Sequence, residues 1–246
     1  MKKGTLKPFW EIRQVRIRLN GMKKDSVVMD VGSGLPTTCF ELESLFSFNK
    51  FICFDFAKTE KELIDYKVYY YVPESQKNET LSLTTFAKCR SDFFRRREKK
   101  PKGEFESKYN IHLGFDIATE NIDDKLRCDL LLLMNVLHFL PISKGQQILE
   151  KFLPLLSNEG LIVLWLNHYQ NSSLTNNEHS DKVGFRSYTD KKFKETCYLY
   201  DERQFMNLVR VCKKYNLKTI FEPTKFMESS NRISSMMYVG QLKNSS

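Results

Sequence analysis

Apolar runs of strand length alternate along the chain with helix-like segments, a pattern that predicts an α/β fold with a mostly parallel sheet. Ser26 to Val31 (SVVMDV) is the first buried-strand candidate, rich in β-branched residues. Phe51 to Phe56 (FICFDF) is the second, and Ile111 to Phe115 (IHLGF) a weaker third. Asp129 to Met134 (DLLLLM) and Leu161 to Leu166 (LIVLWL) are the fourth and fifth. Between these last two, Ser143 to Leu156 reads as an amphipathic helix with Ile148, Leu149, Phe152 and Leu155 on one face. It ends before SNEG, a turn signal.

The rhythm changes in the last third. Asp201 to Tyr215 is a helix with Phe205, Leu208, Val209 and Cys212 inward, and two strands follow without a helix between them, Leu217 to Glu222 and Met236 to Leu242. Consecutive strands of this kind pair as an antiparallel hairpin at a sheet edge. The expected architecture is a Rossmann-like, mostly parallel seven-stranded sheet with a C-terminal antiparallel hairpin and helices on both faces. It forms a single domain over residues 1–246. Two segments exceed what a minimal α/β unit needs. One is an insertion over 58–109, between strands two and three; the other is a polar, loop-like stretch from Asn167 to Thr196. The tail from Lys243 reads as frayed.

Composition narrows the class. With 246 residues, 41% hydrophobic and 13% aromatic, the chain has the material for one sizeable core, and disorder is disfavoured. The longest apolar stretch, Leu130 to Pro141, falls short of the roughly 20 residues a membrane span requires. The opening MKKGTLKPFW has no apolar run behind its lysines, so no secretory signal is expected. Six cysteines form no CxxC pair and four histidines form no metal-binding pair; reduced thiols, a cytoplasmic location and no metal site are the expectations. The net charge of +9 fits a polyanionic partner, but a Lys- and Asn-rich compositional bias explains it as well.

The most informative residues are Asp30-Val31-Gly32-Ser33-Gly34-Leu35-Pro36, where the first strand gives way to a helix. Glycine there permits a tight turn and close ligand approach, and the helix N-terminus offers free N–H groups. A dinucleotide-binding GxGxxG fails, because its third glycine would fall on Thr37. An acid ahead of the glycines suits a ligand carrying a positive group, such as the α-amino group of a methionine moiety. Pro36 reads as the first helical position, with the helix running through Phe40 and Leu42.

On these residues the chain resembles the class I, Rossmann-like, S-adenosylmethionine-dependent methyltransferases. DVGSG matches that family's first motif, with Asp30, Gly32, Ser33 and Gly34 at the cofactor. The resemblance makes Asp55 the acceptor for both ribose hydroxyls, with Phe56 beside it at the cofactor. It makes Asp116 the reader of the adenine amino group and Ile117 the apolar neighbour of the ring. Asn135 and His138, in MNVLHFLP, fall where the family lines the sulfonium and the methyl-transfer path. Asn135 is thus a cofactor residue and His138 the candidate catalytic one. LLSNEGLIVL resembles the turn into the family's fifth strand, and the likeness covers roughly residues 26 to 242 minus the insertion. A structural role stands beside each assignment. Asp55 or Asp116 can be a cap, Asn135 can cap the turn at Pro141, and His138 can be a core histidine among Leu137, Phe139 and Leu140.

Methyl transfer from a sulfonium is an in-line displacement that needs an aligned nucleophile and no universal catalytic side chain. The chain has Asn135-Val136-Leu137-His138 where base-amino methyltransferases carry Asn/Asp-Pro-Pro-Tyr, and no Pro-Cys nucleophile stands there. A small-molecule acceptor is therefore the leading expectation. The stretch Lys88 to Lys102 (KCRSDFFRRREKKPK) holds eight basic and two acidic residues. It is either a solvated helix face or an RNA-binding arm with Phe93 and Phe94. RNA or protein methylation through this arm, and a non-catalytic binding module, are the alternatives. His168, Tyr169, His179, Arg186 and Tyr188, after strand five, can close over a substrate or form an ordinary connection.

Overall fold

The computed structural model describes residues 2–4, 8–34, 36–58, 103–170, 180–184, 186–190, 196–227 and 233–243. The basic arm at 88–102, most of the expected insertion and His179 lie outside the described residues.

The main sheet is built from β1 (Lys2–Gly4), β2 (Val27–Val31), β3 (Lys50–Phe54), β4 (Tyr109–His112), β5 (Cys128–Met134), β6 (Leu156–Asn167), β10 (Leu217–Met227) and β11 (Ile233–Leu242). Its spatial order is β1-β10-β11-β6-β5-β2-β3-β4. β2 pairs in parallel with β3 and β5, and β5 with β6, while β11 runs antiparallel between β6 and β10. The seven expected strands are all present.

β1 is an addition to the expected set, pairing in parallel with the end of β10 through Lys2↔Thr224 and Gly4↔Phe226. Of the expected insertion over 58–109, only residue 58 and residues 103–109 are described. α3 (Glu104–Lys108) and β4 already belong to the sheet layer, and the Tyr109 ring stacks on Phe51 at 4.8 Å.

Period-two alternation sorts the core into two layers. Val28, Leu130, Leu132, Val163 and Val239 face α1 (Arg13–Asn20), α2 (Thr37–Phe46) and α3. Met29, Val31, Leu131, Leu133, Ile162 and Leu164 face α4 (Ile142–Phe152) and α5 (Glu202–Lys214). The apolar stripes are buried as their spacing predicts: Ile148, Leu149 and Phe152 on α4, and Phe205, Leu208, Val209 and Cys212 on α5. Leu155 is buried as well, in a 3-10 turn after α4. α5 begins with a capping box in which Asp201 accepts from the Gln204 N–H at 2.7 Å and Gln204 Oε1 accepts from the Asp201 N–H at 2.9 Å. Such caps contribute typically about 1 kcal/mol.

The 167–196 stretch, expected as a loop, contains a second sheet. β7 (Ser180–Gly184), β8 (Ser187–Asp190) and β9 (Thr196–Tyr198) pair antiparallel in that order. Its polar composition hid it, because little of it is buried in an apolar core.

The contact between α4 and the chain ahead of α5 is tight. A Cβ on Gly145 would stand 2.5 Å from the Tyr200 hydroxyl, which is itself buried with no hydrogen-bond partner. Gly145→Ala should therefore destabilise by about 1–3 kcal/mol through overpacking. Tyr200→Phe should be neutral or stabilising, and in that background Gly145→Ala should instead gain up to about 1 kcal/mol of helix propensity. Urea unfolding of the two single variants and the double variant measures this reversal of sign; additive losses would contradict it.

Candidate active site at the carboxyl edge

The strand order places a switch point at β2 and β5, since the chain leaves β2 for β3 on one side and reaches β5 on the other. Open α/β sheets bind ligands outside the carboxyl ends of their strands at such a point. Four of the expected residues or loops emerge there: the glycine loop after β2, Asp55 after β3, Asp116 four residues after β4, and Asn135 after β5.

The glycine loop is shaped by the chain around it. Gly32 and Gly34 have φ of 71° and 53°, the left-handed region that glycine enters without strain. A Cβ on Gly32 would stand 2.2 Å from Val136 Cγ2, so only glycine lets the loop approach the end of β5. The Gly32 and Ser33 N–H groups donate to the Phe54 carbonyl at 2.8 and 3.0 Å. Pro36 is the N-cap of α2 rather than its first helical residue; its ψ of 53° is not helical, and the helix starts at Thr37.

Asp55 locks this loop to the neighbouring strand. Its Oδ2 accepts from the Gly34 N–H at 2.8 Å and its Oδ1 from the Ala57 N–H at 2.9 Å. Burial raises its pKa, and these two donors oppose that shift. Phe56, next in sequence, is 60% exposed.

Asp30 lies below the loop on the α2 side. It pairs in register with Cys53, and its Oδ2 accepts from the Cys39 thiol at 3.6 Å, with Cys53 Sγ 3.8 Å from Cys39 Sγ. Burial pushes the Asp30 pKa up to about 7, the Cys39 thiol lowers it and the Asp55 charge raises it further.

Asp116 organises its own turn. Its Oδ1 accepts from the Ala118 N–H and its Oδ2 from the Thr119 hydroxyl, each at 2.8 Å. The cap role thus holds, and a carboxylate has lone pairs left for a ligand. Ile117 is only 7% exposed and belongs to the α4/α5 core layer. Asn135 takes a φ of 54°, donates its N–H to the Trp165 carbonyl at 2.8 Å, and buries its Oδ1 with no partner among the described residues.

His138 sits in a 3-10 turn (Leu137–Phe139) with 3% exposure. Its Nδ1 accepts from Asn167 Nδ2 at 3.5 Å, and burial lowers its pKa to about 3. The ring is thus buried and held neutral beside Asn167. β9 packs against this turn. The segment after β6 is tied to α5 by charged pairs. His168 Nε2 lies 3.2 Å from Glu202 Oε2, Lys225 donates to Glu202 Oε1 at 3.0 Å, and Arg186 pairs with Asp201 while lying over the Tyr169 ring at 4.5 Å. Of these, only Arg186 lies at the small sheet, between β7 and β8, and its tie to α5 left no trace in the sequence.

A groove of about 510 Å3 runs along the 118–127 connection and the end of α4, lined by Thr119, Glu120, Asp124, Arg127 and Lys151 among others. None of Asp30, Gly34, Asp55 or Asn135 lines it, so edge geometry and not cavity size marks the site. Among the described residues no acidic, histidine and cysteine cluster is suited to a metal ion, and no helix is long and apolar enough to cross a membrane.

No protein-family model matches the sequence, and no curated protein does. Solved structures do. A methyltransferase dependent on S-adenosylmethionine from Clostridium acetobutylicum superposes with a TM-score of 0.55 at 11% identity, covering 96% of this chain and 91% of that one. One from Mesorhizobium loti gives 0.55 at 11%, covering 95% and 100%. The 1,6-didemethyltoxoflavin-N1-methyltransferase of Burkholderia thailandensis, with 1,6-didemethyltoxoflavin and S-adenosylhomocysteine bound, gives 0.52 at 11%, covering 95% and 78%. At these identities the likeness is one of fold: the chain has the class I S-adenosylmethionine-dependent methyltransferase fold.

The raised pKa of Asp30 makes a prediction independent of any ligand. The folded protein keeps this proton between about pH 4 and pH 7 while the unfolded chain, at the ordinary carboxyl value of 3.8, has lost it. Stability contributed by Asp30 therefore falls as pH rises through that window and is level above it. Asp30→Asn should flatten the slope and gain stability at pH 8, with about 4 kcal/mol as an upper bound from 1.36 kcal/mol per pKa unit. Urea unfolding of both proteins from pH 4 to pH 8 gives the difference; parallel profiles would refute it.

Proposed function

We propose that the chain binds S-adenosylmethionine at the carboxyl edge of β2, β3 and β5 and transfers its methyl group to a small-molecule acceptor. The observation that carries the reading is Asp55, which stands at the end of β3 hydrogen-bonded to Gly34 of the first-motif loop. Three further features fit the cofactor. Among the described residues, and its chain neighbours aside, nothing lies within 4 Å of where a Cβ on Gly34 would stand. The Asn135 Oδ1 is a buried acceptor awaiting a donor. Asp30 is a buried acid whose ionised form a ligand ammonium stabilises.

When bound, S-adenosylmethionine supplies an electrophilic methyl group. Asp30 and the loop Gly32–Gly34 hold the methionine end, with Asn135 beside them. Asp55 accepts from both ribose hydroxyls on its remaining lone pairs. Phe56 offers an exposed ring and Asp116 a carboxylate toward the adenine. Ile117 contributes from the core beneath. His138, neutral and buried, shapes the wall beyond Asn135 and moves no proton. With His138 not acting as a base, the reading favours an acceptor already nucleophilic at neutral pH and aligned with the methyl group. The small molecule bound to the Burkholderia enzyme supports this acceptor class. The buried thiols Cys39, Cys53, Cys128 and Cys212 support a reducing, cytoplasmic setting.

Calorimetry with S-adenosylhomocysteine tests the cofactor. Asp55→Asn keeps one carbonyl oxygen for the backbone donors but loses the charge that strengthens each ribose bond, typically about 1.5–3 kcal/mol per bond. Affinity should drop at least tenfold, with a moderate fall in melting temperature because one of the two backbone donors then faces an amide NH2. No binding to the native protein at millimolar ligand would sink the reading. Arg95, Arg96 and Arg97 reversed to glutamate test the acceptor class. Cofactor binding should be unaffected, and RNA binding by the native protein should be weak and gone near physiological salt. Tight RNA binding there, abolished by the reversal, would move the assignment to an RNA methyltransferase.

A further inference from the structure

We propose that Lys151, on α4, is a positioning residue that holds the Asp116–Glu120 turn in its adenine-reading form and so sets the preference for an adenosyl ligand. The inference rests on the cofactor reading above. Lys151 is remote in sequence from the turn it touches. Its Nζ donates to the Ile117 carbonyl at 3.0 Å and to the Glu120 carbonyl, and it lies 5.5 Å from the Phe115 ring centroid and 5.9 Å from that of Phe152. One ammonium thus contacts the residues on both sides of Asp116.

The turn needs such an anchor. It is a single turn, closed by the Thr119 and Glu120 N–H groups on the Asp116 carbonyl at 3.2 and 2.9 Å, with the Asp116 side chain taking the Ala118 N–H. A lone turn leaves its later carbonyls without internal partners and has no following helix to hold it. Lys151 supplies donors to two of those carbonyls, as cations do at helix C-termini. The site is electrostatically coupled to the carboxylate it positions: burial lowers the Lys151 pKa, and the charges of Asp116 and Glu120 oppose that.

The consequence is base selectivity. A carboxylate fixed by two donors accepts well from the 6-amino group of adenine and repels the 6-oxo group of hypoxanthine. If the turn is released, the carboxylate no longer stands at one place and the discrimination goes with it. A general loosening of the fold would weaken both ligands alike.

The test is calorimetry on the full chain with S-adenosylhomocysteine and S-inosylhomocysteine. The native protein should prefer the adenosyl compound at least tenfold. Lys151→Met keeps the stem over Phe115 and Phe152 but has no donor; its adenosyl affinity should fall about tenfold while inosyl binding stays unchanged. Lys151→Arg should restore the preference, and Lys151→Gln, with one amide donor group, should fall between, which keeps the test sharp if the Met variant folds poorly. Preference retained in the Met and Gln variants, equal losses for both ligands, or no preference in the native protein overturns the proposal. Failure of the native protein to bind either ligand overturns the cofactor reading itself, a different result from binding without a Lys151 effect.

Discussion

β5 has no exposed face. Leu130, Leu131, Leu132 and Leu133 are each fully buried, two toward α1–α3 and two toward α4–α5. Four consecutive leucines permit no solvated side, so the strand must be central, with helices on both faces and parallel neighbours reached by crossovers. That constraint sets the rest. β2 and β6 flank β5, the chain departs from β2 in one direction and returns to β5 from the other, and the edge between them opens. The close approach of Gly32 to Val136 follows, because the residue after Asn135 must pass directly beneath the turn that leaves β2.

At that edge the fold carries an electrostatic cost. Asp30 and Asp55 are both buried, both have raised pKa values, and the charge of Asp55 adds to the shift of Asp30. Backbone donors offset the cost for Asp55; only a long thiol contact does so for Asp30. Core packing would be better served by an apolar residue at position 30, as at Val28 one step along the same face. Local rules are broken in this way mainly where function requires it. A ligand cation near Asp30 removes the penalty, so binding energy and folding energy are coupled through one carboxyl group.

The sheet was legible because its strands are apolar runs and its helices carry clear stripes. The first motif was legible because a left-handed turn demands glycine, and Asp55 because it directly follows a buried strand. Other features leave no such trace. β1 is three residues held by backbone pairing to β10, and α1 buries only Val15 and Leu19. β7–β9 are short strands in a polar stretch, with only a small apolar cluster of Cys197, Leu199, Tyr169 and Tyr188 beside them. The roles of His138 and Lys151 depend on what surrounds them: a histidine near a strand end looks the same whether it is solvated or sealed. A lysine that donates to two distant carbonyls has no partner side chain to betray it.

The two parts of the site are held by different forces, which bears on what each can do. The cofactor edge hangs on backbone hydrogen bonds between strands and on a rigid two-layer core. At the β7–β9 sheet Arg186 pairs with Asp201 and accepts at its carbonyl from the Leu199 N–H at 2.8 Å, while His168, after β6, and Lys225, on β10, both meet Glu202 of α5. Burial raises the Glu202 pKa, but the Lys225 and His168 contacts outweigh it and bring the group to about 2, so the carboxylate stays ionised at any physiological pH. Elements of low local stability on a rigid scaffold are where opening for a substrate and variation in its identity concentrate. On the proposed reading, in which His138 moves no proton, the fixed carboxyl edge would serve to present the methyl group, and acceptor choice would fall to the less regular elements around it.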